Sequence, residues 1–148
     1  MKQNRPVMAF LSLVLVYGCG KGADGPSRQV ISGTVIYDSK PVPRGSIFFE
    51  PDASAGANGP QGYAEIHDGK YSTSASGGKG AVAGAQIVRI EGFGTESEAV
   101  LDSSGEKIVP KLFEEYKTTV TLPEGNSEQN FEVPAAGQRA VKPISTNR

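Results

Sequence analysis

One cysteine, one histidine and no tryptophan occur among the 148 residues, and these shortages exclude several kinds of function. A single cysteine cannot form a disulfide within the chain, so stability has to come from a packed core. A catalytic Ser-His-Asp triad would have to use His67, and zinc or nickel sites usually need several histidine or cysteine ligands. Sugar-binding sites usually present tryptophan or tyrosine platforms, and only tyrosine is available here. We therefore expect no catalytic residue, no metal ion and no cofactor.

Long hydrophobic stretches are also missing, apart from one uncharged run near the start of the chain, Val7–Val16. This run has ten residues, about half of the ~20 that a helix needs to cross a bilayer. It follows the basic residues Lys2 and Arg5, in the order that is typical of an export signal. We interpret residues 1–18 as a signal peptide that is removed, rather than as a permanent membrane span.

The segment Val16-Tyr-Gly-Cys19 resembles a bacterial lipobox, in which an aliphatic residue and a small residue precede a cysteine. The resemblance implies cleavage between Gly18 and Cys19 and acylation of the cysteine sulfur, so that membrane lipid becomes a partner. Each buried CH₂ contributes ~0.8 kcal/mol, which makes an anchor of two or three acyl chains firm. Gly20 replaces the Asp that commonly retains lipoproteins at the inner membrane, which favours the outer membrane. A free thiol beside an ordinary secretory cleavage site is the alternative interpretation.

Removal of residues 1–18 would leave 130 residues with 13 basic and 16 acidic side chains, a net charge of −3. This mild acidic excess argues against nucleic acid as a partner, because binding to phosphates needs a clustered basic surface. A chain of this length can bury the core of one domain but hardly of two. The predicted organisation is a lipidated cysteine with a flexible tether at 19–28, one domain at 29–134 and a disordered tail at 135–148.

Glycine and proline make up 29 of the 148 residues and interrupt short apolar runs about every ten residues. Because these runs are rich in β-branched and aromatic residues and show no helical period, the pattern predicts an all-β sandwich or barrel. The seven predicted strands are Gln29–Tyr37, Ser46–Glu50, Gly62–Ile66, Lys70–Ser74, Ala85–Glu91, Thr118–Leu122 and Gln129–Val133.

The segments between these strands carry turn and loop signals. His67-Asp-Gly69 predicts a hairpin turn, because Asp-Gly tolerates the positive φ angles that such a turn needs. Residues 52–60 and the glycine-rich residues 75–84 are predicted loops. A long acidic loop is predicted at 92–110, with a short ribbon through Ala99–Leu101 and Lys107–Val109, followed by a single helical turn at Lys111–Tyr116.

Several motifs together resemble transthyretin-like, carboxypeptidase-regulatory-like domains. Ile31-Ser-Gly-Thr-Val35, Lys40-Pro-Val42 and Gly45-Ser-Ile-Phe-Phe-Glu-Pro51 are similar to the opening of that family. Asp68-Gly-Lys-Tyr71 is similar to its DGKY hairpin, and Gly84-Ala-Gln-Ile-Val-Arg-Ile90 to its G-x-Y-x-V-x-I strand. The similarity runs from about residue 30 to 133 and is greatest to the free-standing lipoproteins of this type in planctomycete-like bacteria.

This resemblance implies a seven-stranded antiparallel Greek-key β-sandwich that assists folding, adhesion or assembly and is not an enzyme. The chain departs from the family pattern at Ser39, where glycine is usual, and at Gln86, where an aromatic residue is expected. We therefore expect a non-catalytic, lipid-anchored module of the cell envelope with a structural or protein-interaction role. Fold alone does not fix function.

The alternative function is a lipoprotein that recognises a glycan or a peptide through its loops. Tyr63, Phe93 and Tyr116 are the candidate binding residues. An exposed cluster of these three side chains would favour ligand binding, whereas their burial would favour the structural or interaction role.

Overall fold

The computed structural model describes residues 25–135, and in that part of the chain the regular elements are strands and two short 3-10 turns. This confirms the prediction of an all-β protein. Gly18, Cys19, the predicted signal and tether up to residue 24, and the tail from residue 136 lie outside the described residues. In chain order the strands are β1 (Arg28–Gln29), β2 (Ile31–Tyr37), β3 (Lys40–Pro41), β4 (Arg44–Pro51), β5 (Gly62–His67), β6 (Lys70–Ser72), β7 (Ala81–Val82), β8 (Gly84–Phe93), β9 (Val100–Leu101), β10 (Lys107–Ile108), β11 (Tyr116–Leu122), β12 (Ser127–Glu128) and β13 (Phe131–Val133). The 3-10 turns cover Ala53–Ala55 and Glu96–Glu98.

Hydrogen bonds join nine of the described strands into one curled sheet. Its neighbours run in the order β11-β8-β4-β5-β6-β2, and each of these pairs is antiparallel. β3 folds back on the end of β2, whereas β12 and β13 lie parallel to β2. Two small ribbons, β1 with β7 and β9 with β10, stand outside this sheet.

The parallel contact between β2 and the last two strands depends on one glycine and two side chains. A Cβ atom on Gly33 would lie 1.9 Å from the carbonyl oxygen of Gln129, so only glycine allows the backbones to approach this closely. Asn130 Oδ1 accepts hydrogen bonds of 2.8 Å from both the backbone N–H and the hydroxyl of Thr34. The Tyr71 hydroxyl donates to the Gln129 carbonyl at 2.7 Å. Side chains thus bridge the gap between β12 and β13.

The core follows from the alternation of side chains along the strands, since every second residue points to the same face. On β4 and β8, for example, Ile47, Phe49, Val88 and Ile90 are fully buried while the residues between them are not. Phe49 contacts the Tyr71 ring at a centroid distance of 6.1 Å. The other buried apolar residues are Ile31, Val35, Val42, Ala64, Ile66, Ala81, Val82, Leu122 and Val133.

One polar side chain, that of Gln86, is completely buried in this core. Its amide Nε2 donates to the Val82 carbonyl at 3.1 Å, whereas its Oε1 has no hydrogen-bond partner among the described residues. This is the β8 position at which the family resemblance predicts an aromatic residue. A buried acceptor without a partner lowers stability by the desolvation free energy of that group.

The structure corrects several predicted boundaries. Lys111–Tyr116 is not a helical turn: the backbone bends and then enters β11 at its last residue. The predicted loop 75–84 contains β7, whose two residues are buried and pair with β1. The predicted three-residue turn has only Asp68 and Gly69, with φ of 49° and 73°, because the histidine before them belongs to β5. The first predicted strand is interrupted at Val30, whose N–H donates to the Asn126 side chain.

Candidate functional site

After β8 the chain leaves the sheet and returns to it at residue 111; we call residues 94–110 the excursion. Its base is closed by a bridge between Phe93 and Lys111 and by a hydrogen bond of 2.9 Å from the Gly94 N–H to the Pro110 carbonyl. Its tip is the antiparallel pair β9 and β10. The ribbon that the sequence predicts inside the acidic loop is therefore present.

Two carboxylates hold the backbone of the excursion in place by accepting hydrogen bonds from nearby N–H and hydroxyl groups. Glu98 accepts hydrogen bonds from the N–H and the hydroxyl of Thr95, which hold the pKa of that carboxyl below its usual value. Asp102 Oδ1 accepts from the hydroxyl and the N–H of Ser104 and from the N–H of Glu106, at 2.7, 2.8 and 2.9 Å. These contacts, led by the Ser104 hydroxyl, also lower the pKa of Asp102. Both acids are therefore charged near neutral pH.

A cleft of about 420 Å³ lies between the excursion and the outer face of β4 and β5. This volume falls within the range of small-molecule sites, ~300–1,000 Å³. Alternation along the strands brings most of the lining side chains to this face, because residues paired across β4, β5 and β8, such as Arg44 with His67 and with Phe93, point to the same side. The cleft is lined by Arg44, Gly45, Ser46, Tyr63, Glu65, Ile66, His67, Phe93, Glu96 and Val109.

The polar groups of this cleft are paired with one another. Arg44 forms an ion pair with Glu96 that joins the sheet to the excursion. His67 Nε2 lies 3.1 Å from Glu65 Oε2, and the histidine side chain is 70% exposed. The hydroxyls of Ser46 and Tyr63 are 3.5 Å apart.

Within the cleft, these contacts do not pair Ser46 with His67. Ser46 lies opposite Glu65 in the strand register, and its recorded side-chain contact is with the tyrosine hydroxyl rather than with His67. A nucleophilic serine needs its base within about 2.6–3.2 Å. The arrangement suits polar recognition of a ligand, and the prediction that the protein is not an enzyme stays a prediction.

The three aromatic residues singled out in the sequence do not form one cluster. Tyr63 and Phe93, both half-buried, line the same cleft. Tyr116 pairs with Ile90 on the inner face and packs against the core. Tyr63 and Phe93 therefore meet the condition that favours ligand binding, because they face a cleft. Tyr116 does not meet it, because it packs against the core.

Sequence reasoning missed Arg44, Glu65 and Glu96 as lining residues of the cleft. The spacing of Arg44 and Ser46, and of Tyr63 and Glu65, was a usable signal, because alternate residues of a strand share a face. The register that places Arg44 opposite both His67 and Phe93 is a tertiary fact that spacing does not contain.

A second depression, of about 490 Å³, lies on the same outer face toward the end of the sheet where β1 enters. Its floor is aromatic: the rings of Phe48 and Tyr63 have centroids 5.2 Å apart. Its rim carries two cations, Arg28 and Lys79, and the Arg28 guanidinium donates to the carbonyls of Gln61 and Gly80. We call this surface the basic depression; its remaining lining residue is Pro60.

Within residues 25–135, no three histidine, cysteine, aspartate or glutamate side chains come together as a metal site would require. The same described region contains no helix whose length and apolar character would let it span a bilayer. Comparison of the chain with protein-family models, with curated proteins and with solved structures finds no match.

Proposed function

We propose that the chain is a lipid-anchored, non-catalytic module of the cell envelope that contacts a protein through the end of the domain farthest from its anchor. The lipobox-like segment that ends at Cys19 supports the anchor, and Gly20 supports the outer membrane. The resemblance to transthyretin-like lipoproteins supports a seven-stranded Greek-key sandwich for the domain. The curled, mostly antiparallel sheet is consistent with this architecture.

This proposal depends on which end of β8 lies near the entry of the chain and which end lies near the excursion. β1 pairs with β7, which directly precedes the first residue of β8, Gly84, so the chain enters the domain at that end. The excursion begins after Phe93, at the other end. Ten residues of strand span about 33 Å. An anchor upstream of Arg28 therefore joins the domain at one end of β8, and the excursion lies at the opposite end of that strand.

The excursion presents the large hydrophobic side chains that the described part of the domain leaves in solvent. Val100, Leu101 and Ile108 are 58%, 68% and 47% exposed. Val100 and Ile108 are paired across the ribbon and share one face, whereas Leu101 is paired with Lys107 on the other face. Exposed apolar groups with a polar rim commonly mark protein-interaction sites. Because the surrounding turns are hydrogen-bonded, little conformational entropy has to be lost when these side chains are covered.

Replacement of the cysteine tests the anchor. In Cys19→Ala we expect export to continue and membrane attachment to be lost, because the sulfur carries the acyl chains. Partitioning between detergent and aqueous phases measures this, and mass spectrometry of the N-terminal peptide shows whether acyl groups are attached. Leu101→Asp is the matched control, since it alters the excursion and should still enter the detergent phase. Detergent partitioning of Cys19→Ala after removal of the signal would contradict the proposal.

The second candidate function is recognition of a glycan or a peptide in the cleft, and the shared position of Tyr63 and Phe93 favours it. Isothermal titration calorimetry of the protein with short oligosaccharides and with short peptides tests this candidate. Phe93→Ala should abolish such binding, whereas Tyr116→Ala, on the inner face, should change it only through stability. If Phe93→Ala and Tyr116→Ala lost binding equally, compared at the same fraction of folded protein, the cleft would be excluded as the binding site.

A further inference from the structure

The excursion and the basic depression are opposite in charge. The excursion contains four acids, Glu96, Glu98, Asp102 and Glu106, and one base, Lys107, a net charge of −3. The described residues outside it, 25–93 and 111–135, carry eight bases and eleven acids, also a net charge of −3, but spread over 94 residues rather than 17. The acidic charge is therefore densest around the exposed aliphatic side chains of β9 and β10, and the positive charge that could complement it is local to the basic depression.

The basic depression has the complementary composition. The Phe48 and Tyr63 rings supply an apolar floor, and Arg28 and Lys79 supply positive charge at its rim. Aliphatic side chains that enter such a depression would be covered by the rings, while acids beside them would face the two cations. Contacts of this kind combine apolar burial with electrostatic specificity.

Within one copy the two surfaces do not meet, because Val100, Leu101 and Ile108 of the excursion stay exposed. The excursion follows the last residue of β8, whereas the Arg28 strand and its β7 partner lie beside the first residue of β8. The excursion is anchored by its closed base and by the ion pair of Glu96 with Arg44. We propose that the excursion of one copy docks in the basic depression of a second copy, in a head-to-tail contact.

A contact between two different surfaces of identical chains is heterologous: the first copy keeps its depression free, and the second copy keeps its excursion free. This contact rests on the proposed function in one respect: the lipid anchor would place both copies on the same membrane. Nine peptide units separate Cys19 from Arg28, and an extended chain of that length reaches about 30 Å. That reach is close to the ~33 Å length of β8, so neighbouring copies can be offset by nearly one domain.

Disulfide trapping in intact cells tests the contact with the full-length chain. One copy carries Leu101→Cys and a second, differently tagged copy carries Lys79→Cys; both replaced side chains are exposed, so the fold is not at stake. We expect a disulfide between the two tagged copies. Lys70→Cys is the matched control for the second copy, because Lys70 is also an exposed lysine and lies on β6, away from the depression. It should give little product.

Charge reversal provides a second readout. Glu106→Lys in the first copy should lower the disulfide yield by about fivefold, in line with the free energy of an exposed ion pair. Arg28→Glu in the second copy should restore part of that yield. If Glu106→Lys lowered the disulfide yield only by destabilising the fold, Arg28→Glu in the other copy would not restore it.

Four outcomes would overturn the proposal: no product, equal yields with Lys79→Cys and Lys70→Cys, a dominant product between two Leu101→Cys copies, or a product only with another protein. The last outcome would leave the proposed function standing, because the excursion would still be an interaction surface. Detergent partitioning of the same cells reports the anchor independently. An aqueous-phase protein that still forms the disulfide would refute the anchor and keep the contact.

Discussion

Tyr71 holds its hydroxyl inside the domain, where it donates to the Gln129 carbonyl at 2.7 Å, and this position makes stability depend on pH in the alkaline range. The side chain is 4% exposed. Burial raises the pKa of the Tyr71 hydroxyl far above its usual value, and the charge of Glu128 adds to this increase. Replacement of Tyr71 by phenylalanine removes the titrating group and keeps the ring.

Near pH 8 the phenol is neutral in the folded and in the unfolded chain. Tyr71→Phe should then be less stable than the parent protein by about 1 kcal/mol, the net contribution of one hydrogen bond. Above pH ~10 the unfolded chain loses the phenolic proton, while the folded chain, with its raised pKa, keeps it. The stability of the parent protein therefore falls with rising pH, by up to ~1.4 kcal/mol per unit.

These two effects have opposite signs, so the order of the two proteins should reverse. At pH 11.5 the parent protein has lost about 2 kcal/mol through this one group, and Tyr71→Phe should be the more stable by about 1 kcal/mol. The two stabilities should be equal near pH ~10.7. All other tyrosines are common to both proteins and cancel in the comparison.

Urea unfolding followed by circular dichroism at pH 8 and pH 11.5 measures this reversal. Cys19→Ser in all of the compared proteins avoids thiolate chemistry at high pH. Thr34→Val is the matched control, because it removes a hydrogen bond at the same strand contact without removing a titrating group. Its stability difference from the parent should be the same at both pH values. A Tyr71→Phe difference that is also independent of pH would refute the reasoning.

Three further predictions concern stability and use thermal unfolding. Gly69 and Gly56 both have positive φ, but only a Cβ on Gly69 would meet another atom, Pro41 Cβ at 2.6 Å, so Gly69→Ala should lower the midpoint clearly more than Gly56→Ala. Ser39 has φ of 61°, and Ser39→Gly should raise stability by up to ~1 kcal/mol; an unchanged or lower midpoint would contradict this strain. Gln86→Met removes a buried acceptor that has no partner among the described residues and should stabilise by about 1 kcal/mol; a clear loss would show that the Val82 hydrogen bond outweighs it.

The sequence pattern predicted what local chemistry controls. Asp68-Gly69 predicts the position of the hairpin between β5 and β6, because few residues accept positive φ, and alternating apolar residues predict β4, β5 and β8 within a few residues. Ala81 and Val82 fall in a predicted loop, because glycine surrounds them and their strand depends on its pairing with β1. Long-range pairing leaves no periodic signal in two residues.

The candidate site was predictable in part for the same reason. Tyr63 and Phe93 could be singled out as aromatic residues near loops, and the structure places both at one cleft. Tyr116 is the third predicted binding residue, whereas in the structure it begins β11 and packs against the core. Which of two faces a residue occupies changes with a register shift of one, and only tertiary pairing fixes that register.

The parallel contact of β2 with β12 and β13 has a consequence for the order of events during synthesis and folding. Residues that pair there are 96 positions apart, as Ile31 and Ser127 are. The second strand of the domain therefore stays without one of its neighbours until nearly the whole chain has emerged. Contacts of such large sequence separation form slowly, because loop closure costs entropy before the contact is gained. A chain that crosses a membrane pore starting from its N-terminus would thus stay incompletely folded until β12 and β13 emerge and pair with β2.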